Sequence, residues 1–224
     1  ANSAKLTYVT TWSSIVQSVN ALGYSPENIG GENYLDKILN FDVSQCDASM
    51  CIAILKTLQG KDYAPVSYTA EAVVQKLLQE QAEDGGFESW GSSNVDVTGD
   101  ALAALAAYRH MAGVEDAINK AVNYLSQLQK EDGSFGQNAA YPTSNADSTG
   151  RALLGLASVG IDPLTDERFI KDNNNIIMAL LNFQNEEGAF EYSGSSSSYA
   201  TVDAMQGLSA YVRFLEGQEG LYDL

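Results

Sequence analysis

The sequence predicts an all-α protein built from repeated pairs of helices. Two observations carry this prediction: apolar residues recur at three- and four-residue spacing along most of the chain, and one glycine-containing turn motif occurs three times. Sustained alternation of apolar and polar residues, which is typical of strands, does not occur in the sequence. With 224 residues, of which 45% are hydrophobic, the chain is long enough to bury a sizeable core.

The turn motif reads Q-x-x-x-G-x-F and occupies residues 81–87, 129–135 and 184–190. Its copies lie about 50 residues apart, somewhat more than is usual for a helix-pair repeat. The glycine can adopt the positive φ of a left-handed cap, so we expect it to end the preceding helix. We expect the phenylalanine to fold back between the helices, and the glutamine to hydrogen-bond backbone in the neighbouring repeat.

A second motif begins a helix after each turn. Three copies are clear and two upstream copies are degenerate; in chain order they span residues 10–16, 47–53, 96–102, 147–153 and 199–205. The chain therefore holds about five copies of one helix and four of its partner. The clear repeats cover residues 81–217, and the degenerate repeats cover residues 1–80.

The two kinds of helix differ in where their apolar residues lie. Outer helices have one apolar face, formed by Val73, Val74, Leu77 and Leu78, by Ile118, Ala121, Val122, Leu125 and Leu128, and by Ile176, Ile177, Leu180 and Leu181. Inner helices are apolar nearly all round, as residues 101–107 show, which predicts packing on several sides. Asp96 or Thr98 is expected to cap one inner helix. Asp147 or Thr149 is expected to cap the inner helix of the next copy.

The charge balance excludes some partners. The formal charge of −17 comes from 29 acidic and 12 basic residues, and such a surface repels nucleic acids and anionic membranes. No run approaches the roughly 18–20 apolar residues of a membrane helix, so membrane insertion is not expected. The two cysteines, Cys46 and Cys51, are too few for a disulfide framework, and we expect two buried thiols.

Around Gln129 the full pattern is Tyr124-Leu125-x-x-x-Gln129-x-x-x-Gly133-x-Phe135. It resembles the QW motif of squalene and hopene cyclases, with phenylalanine in place of the terminal tryptophan. Protein prenyltransferase β-subunits and complement-type thioester domains share the same repeat. The resemblance implies an α/α-toroid, in which parallel inner helices surround a cavity and outer helices run antiparallel outside them.

The number of repeats bears on the completeness of the ring. A closed ring usually takes about six helix pairs, which at this repeat length needs roughly 300 residues. We therefore expect an incomplete or open ring of four to five hairpins. Residues 1–224 would form a single toroid domain, a fragment of one, or a ring completed by another chain.

The catalytic motifs of the resembled families are missing. The acidic D-x-D-D cluster of triterpene cyclases does not occur, and residues 96–100 come nearest to it. The zinc ligands of prenyltransferases are not reproduced by Asp47, Cys51 and the single histidine, His110. The thioester sequence C-G-E-Q is also absent. We expect no catalytic residue, no metal and no cofactor, which argues against an enzyme without excluding one.

One set of residues remains as a candidate ligand site. The first turns of successive inner helices should meet at one mouth of the cavity, with loop aromatics just before them. The set comprises Asp96, Asp100, Asp147, Arg151, Tyr199, Asp203, Trp90 and Tyr141. Two interpretations stay open. Either the charged residues cap helices and pair across them, or they form a polar pocket with aromatic walls for a sugar, a peptide or a cation.

Three functional hypotheses follow. The first is a non-catalytic ligand-binding or surface-adhesion module of a bacterial exported protein, because acidity, scarce cysteine and many Ser, Asn, Gly and Tyr residues suit such proteins. Its partner would be a small molecule, a glycan or a protein, and further domains of a longer parent chain are expected. The alternatives are an isoprenoid cyclase or prenyltransferase-like enzyme, and a structural spacer. We expect an extracellular or cell-surface location, with the cytoplasm as the alternative.

Overall fold

A computed structural model of the chain describes residues 8–59, 61, 63–89 and 91–222. These residues are all-α apart from two short β-hairpins, in agreement with the predicted fold class. The helices are α1 (Val9–Ala21), α2 (Tyr34–Leu39), α3 (Ala48–Leu58), α4 (Ala70–Gln79), α5 (Val95–Leu105), α6 (Val114–Leu128), α7 (Ala146–Ser158), α8 (Ile176–Leu181) and α9 (Ser198–Leu215). No helix in this described part is long and apolar enough to cross a membrane.

The two hairpins were not expected from the sequence. Antiparallel strands β1 (Phe87–Ser89) and β2 (Ser92–Asn94) form the first, and β3 (Glu191–Tyr192) and β4 (Ser195–Ser196) form the second. Both lie in connections from an outer to an inner helix. Strands of two or three residues are too short to show an alternating pattern, so periodicity could not predict them.

The chain divides into two compact units at the junction between Glu80 and Gln81, where the clear repeats begin. In the first unit, α1 packs against α2 and α3, and α3 packs against α4. The degenerate motif copies therefore do form helices, α1 and α3. Their contact includes a hydrogen bond of 2.7 Å between the hydroxyls of Ser13 and Thr57.

Both cysteines of the first unit are buried free thiols, as expected. Cys46 precedes α3 and Cys51 lies within it. The two thiols hydrogen-bond each other, and this bond together with burial raises the pKa of the Cys51 thiol well above its usual value.

In the second unit the inner helices α5, α7 and α9 lie side by side, with α7 in the middle. Glycines set the distance between them. A Cβ atom on Gly150 of α7 would lie 2.6 Å from the carbonyl oxygen of Asp203 on α9. A Cβ atom on Gly155 of α7 would lie 2.7 Å from the carbonyl oxygen of Gly99 on α5. The helix backbones therefore touch, which any side chain at these positions would prevent.

The outer helices bury the faces predicted for them, and in the second unit α6 packs on α5 and α8 on α7. The prediction is wrong at some helix ends. Leu181 is about half exposed, because it is the last residue of α8 and lies beyond the packed seam. Ala107 is exposed, because α5 ends at Leu105 and a single 3-10 turn follows.

The phenylalanines of the three turns are fully buried, as expected: Phe87, Phe135 and Phe190. The turn glycines have the predicted positive φ, between 84° and 90°. The expectation that they end helices is wrong. Helix α4, for example, ends at Gln79. Gly85 lies in a separate turn, in which its N–H donates to the carbonyl of Ala82 at 3.0 Å.

Each turn glutamine fastens its own turn by donating to the carbonyl of the motif glycine, over 2.9 to 3.1 Å. The expected bond to a neighbouring repeat is confirmed at Gln81, whose amide also donates to the carbonyl of Ala117 in α6 at 2.8 Å. No such second bond is recorded for Gln129 or Gln184 among the described residues.

In the second unit, a threonine in the first turn of each inner helix holds the end of the preceding turn. The Thr149 hydroxyl accepts the backbone N–H of Phe135 at 3.1 Å and donates to the carbonyl of Asn145 at 2.7 Å. Thr98 and Thr201 make the equivalent pairs of bonds. This contact fixes the start of each inner helix against the buried phenylalanine.

Replacing Thr149 with valine should lower the free energy of unfolding by about 2 kcal/mol. The shape is kept, but the buried N–H of Phe135 loses its acceptor. Urea denaturation measures the effect, and Thr143→Val, at an exposed position, is the matched control with an expected change below about 0.5 kcal/mol. Equal effects of the two substitutions would contradict the structural role of this hydroxyl.

Candidate functional site

One arginine joins the three inner helices of the second unit. Arg151 of α7 donates through Nη1 to Asp100 Oδ1 of α5 at 2.8 Å, and through Nη2 to Asp203 Oδ1 of α9 at 2.5 Å. Nη1 also donates to the side-chain oxygen of Gln206 at 3.0 Å. We name these four residues the Arg151 cluster. Their ion-paired side chains are only 16% to 25% exposed.

The close helix packing explains why these side chains meet. Gly99 and Gly150 directly precede Asp100 and Arg151, and both glycines lie where backbones touch. Because the helices lie this close, the residue that follows each glycine is within one side-chain length of the equivalent residue on the neighbouring helix. Pairing of Asp100, Arg151 and Asp203 across adjacent helices was one of the two open interpretations, and these contacts agree with it.

Asparagine, rather than aspartate or threonine, caps the first two of these helices. Asn94 Oδ1 accepts the N–H groups of residues 96 and 97 on α5, and Asn145 Oδ1 accepts that of residue 148 on α7. The helices thus begin earlier than expected. The predicted caps are therefore wrong: Asp96 or Thr98, and Asp147 or Thr149.

Asp96 and Asp147 instead lie in the first helical turns, where the helix dipole stabilises a carboxylate. Each has one buried carboxylate oxygen, Oδ1, with no hydrogen-bond partner among the described residues. Burial raises the pKa of Asp96 to about 6, and it raises the pKa of Asp147 and Asp203 as well. The nearby Ser148 side chain offsets part of this rise in the pKa of Asp96. Neither Asp96 Oδ1 nor Ser148 Oγ has a well-formed hydrogen bond among the described residues.

The raised pKa of Asp96 predicts that the protein loses stability as the pH rises. The folded state holds this proton up to about pH 6, whereas an unfolded aspartate releases it near pH 3.9. The stabilising contribution is therefore complete below about pH 4 and is lost as the pH rises through 6. Asp96→Asn should be about 2 kcal/mol more stable than the parent at pH 8 and nearly equal to it at pH 4.

Urea denaturation at the two pH values measures this difference. Asp116→Asn is the control, because that carboxylate is 70% exposed and the variant should keep the parent's pH dependence. If the difference in stability between the parent and Asp96→Asn is the same at pH 4 and at pH 8, Asp96 is not a buried, protonated carboxyl group.

Two aromatic members of the predicted set, Tyr141 and Tyr199, make no contact with the Arg151 cluster within the described part of the chain. Tyr199, at the start of α9, is 80% exposed. Tyr141 lies in the connection between α6 and α7, where it lines a separate cleft. Trp90 lies outside the described residues. The aromatic walls of the predicted pocket therefore remain a prediction.

Two polar residues near this site escaped the sequence reasoning. Gln206 is the third partner of Arg151, and its position three residues after Asp203, on the same helical face, was the available signal. Ser148 follows Asp147 directly, and the repeat pattern does not single out its position. Among the described residues, no three His, Cys, Asp or Glu side chains converge to hold a metal ion.

The repeated inner and outer helices and the Arg151 cluster define a helical-hairpin toroid with a polar inner-helix face. Residues 33–191 match the family model of the squalene-hopene cyclase C-terminal domain, and the chain belongs to this family. A squalene–hopene cyclase of Zymomonas mobilis is 42% identical over 103 residues, which are 40% of this chain and 15% of that enzyme. The chain thus spans a small part of this curated relative.

A solved structure gives the same fold. Protein geranylgeranyltransferase-I of Candida albicans, complexed with GGPP, superposes with a TM-score of 0.55 and 19% sequence identity. The similarity covers 75% of this chain and 50% of that one. At this identity the likeness supports the α/α-toroid fold alone.

Proposed function

We propose that this chain is a non-catalytic ligand-binding module, of the adhesion type, on a terpene-cyclase-like toroid, and that its parent is an exported bacterial surface protein. The observation that carries the proposal is the Arg151 cluster. Asp100 and Asp203 are tied to an arginine, so neither is a free acid for protonating a substrate. The acidic, cysteine-poor composition supports the surface location.

The charge of this face supports a polar ligand. Four carboxyl groups, those of Asp96, Asp100, Asp147 and Asp203, stand against the single guanidinium of Arg151. Covering ionised groups with a hydrocarbon chain would remove their water without replacing its hydrogen bonds, which costs several kcal/mol. A ligand that offers ammonium or hydroxyl donors replaces those bonds. The cluster therefore favours an amine or a donor-rich ligand over an isoprenoid.

Thermal shift and calorimetric titration with spermidine and with a lysine-rich peptide test this proposal. A probe present at 100 times its dissociation constant should add about 2.7 kcal/mol of stability. Asp203→Asn should weaken binding, whereas Asp116→Asn, remote from the cluster, should not. Turnover of squalene or of geranylgeranyl diphosphate by the chain would overturn the non-catalytic part.

One observation favours a second candidate, an isoprenoid cyclase-like enzyme. Asp96 has a buried oxygen without a hydrogen-bond partner among the residues that the structure describes, and its pKa is raised to about 6, so a fraction of the protein carries a protonated carboxylic acid near neutral pH. A general acid needs that protonation state. The related squalene–hopene cyclase and the structural neighbour bound to GGPP supply two substrates to test.

Incubation with squalene and with geranylgeranyl diphosphate, followed by mass spectrometry of extracted products, tests this second candidate. Any product formed by the parent should vanish in Asp96→Asn and persist in Asp116→Asn. Product formation that survives Asp96→Asn would remove Asp96 from that role.

A further inference from the structure

The connection between α6 and α7 borders a cleft of about 320 Å³, formed with the β3–β4 hairpin of the next repeat. Tyr141 lines it from the connection and Tyr192 lines it from the hairpin. Both rings are well exposed, at 68% and 49%. The volume lies at the lower end of the range for small-molecule sites, which is roughly 300–1,000 Å³.

The lining of this cleft is neutral. Besides the two tyrosines it consists of amide, hydroxyl, proline and alanine side chains, namely Gln137, Ala140, Pro142, Thr143, Ser144, Asn145 and Ser193. None of these residues is charged, although the chain carries a net charge of −17. No carboxylate lines this cleft, and the ammonium of Lys130 beside it is held by the Ser144 hydroxyl. The lining matches a neutral ligand with many hydroxyl groups.

Internal contacts hold the walls of the cleft in place. Asn138 Oδ1 accepts the N–H groups of Ala140 and Tyr141 at 3.0 and 2.9 Å, which fixes the backbone under the first ring. The Ser144 hydroxyl accepts from Lys130 Nζ at 2.9 Å. Opposite, Ser193 has a φ of +52° in the tight turn that follows Tyr192. Walls ordered before binding reduce the entropy that a ligand must overcome.

A second cleft of about 300 Å³ lies on the other side of the same connection, next to the β1–β2 hairpin. Ala140 lines both clefts. The second cleft is lined by Tyr124, by the amides of Gln127 and Asn138 and by one carboxylate, that of Asp84. Asp84 Oδ1 accepts from Ser93 Oγ at 2.6 Å and from the N–H of Gly86 at 3.0 Å, so internal donors already engage this charge. The two adjoining clefts can therefore hold successive units of one linear ligand.

We propose that these two clefts, which adjoin at Ala140, bind a neutral linear oligosaccharide, whose sugar rings stack on Tyr141 and Tyr192. Tyrosine offers a rigid apolar face with a polar tip, and neighbouring amides and hydroxyls exchange hydrogen bonds with sugar hydroxyls. The site shares no residue with the Arg151 cluster. It therefore goes beyond the proposed function and does not depend on that cluster.

Calorimetric titration with cellohexaose and chitohexaose tests the proposal. At least one hexamer should bind, and Tyr141→Ala and Tyr192→Ala should each weaken it at least tenfold, while Tyr141→Phe retains most of the affinity. Tyr24→Ala is the matched control, because Tyr24 is an exposed tyrosine that lines neither cleft. Glucose alone should bind more weakly than the hexamer, since it fills one cleft.

The possible outcomes separate this proposal from the function assigned to the Arg151 cluster. Asp203→Asn should leave hexamer binding unchanged, and Tyr141→Ala should leave spermidine binding unchanged. Failure of both hexamers to bind at millimolar concentration would overturn the saccharide site. Binding that Tyr24→Ala weakens as much as Tyr141→Ala does would overturn it as well.

Discussion

Replacing Arg151 with methionine should lower the free energy of unfolding by about 3 kcal/mol at pH 7. The guanidinium is the common partner of Asp100 and Asp203, both largely removed from solvent. Methionine keeps most of the volume but leaves two carboxylates without their counter-charge. Removing one partner of a buried ion pair costs more than removing both, because an uncompensated charge stays behind. Urea denaturation at pH 7 measures the loss.

The loss should shrink at low pH. Burial already raises the pKa of Asp203 and Arg151 holds it down, so without Arg151 this pKa rises further. The variant therefore takes up a proton as the pH falls toward 4, which relieves the repulsion between the carboxylates. Arg168→Met is the matched control: its ion pair with Asp166 is local and more exposed, and its loss should cost less than about 1 kcal/mol. A pH-independent loss in Arg151→Met would mean that packing, rather than charge, is the role of Arg151.

Alanine at position 150 should destabilise the protein by about 2–3 kcal/mol, even though alanine is the better helix former. Its Cβ would lie 2.6 Å from the Asp203 carbonyl oxygen and 2.8 Å from the Ala204 Cα, so α7 and α9 must move apart. Overpacking of this kind costs typically 1–3 kcal/mol, and here it also stretches the Arg151 to Asp203 bond. The propensity gain of about 1 kcal/mol offsets only part of it.

Val202→Ala supplies the control for this substitution. Val202 occupies on α9 the repeat position that Gly150 occupies on α7, but it is about half exposed. We expect a change within about 0.5 kcal/mol. If urea denaturation shows that Gly150→Ala is as stable as the parent, the two helices separate without cost and the prediction is wrong.

The sequence predicted the parts of the molecule that repeat. The buried phenylalanines, exemplified by Phe135, and the pairing of Asp100 with Arg151 followed from equal positions in successive copies. Equal positions on parallel, closely packed helices must become neighbours in space. The repeat in the sequence therefore predicted both the fold class and the ion pairs of the Arg151 cluster.

The features that the sequence did not reveal lie where the copies differ. Asn94 caps α5 from the end of a short strand, and that strand has too few residues to show a pattern. Tyr141 was expected beside the inner-helix starts, but it lies in the longest of the three connections that lead into α5, α7 and α9, and it lines a cleft with Tyr192. The course of an irregular loop depends on contacts such as those of Asn138, which no periodicity encodes.

Each of the three connections that lead into α5, α7 and α9 is fastened at both ends, by the buried phenylalanine and by the threonine that accepts its N–H. The two anchors are 11, 14 and 11 residues apart in the three copies, and the segment between them is a hairpin, an irregular loop and a hairpin. Length and shape thus vary while the anchors stay the same. Such segments are interchangeable inserts: evolution, or a protein engineer, can exchange one for another and alter what the protein recognises without redesigning its helices.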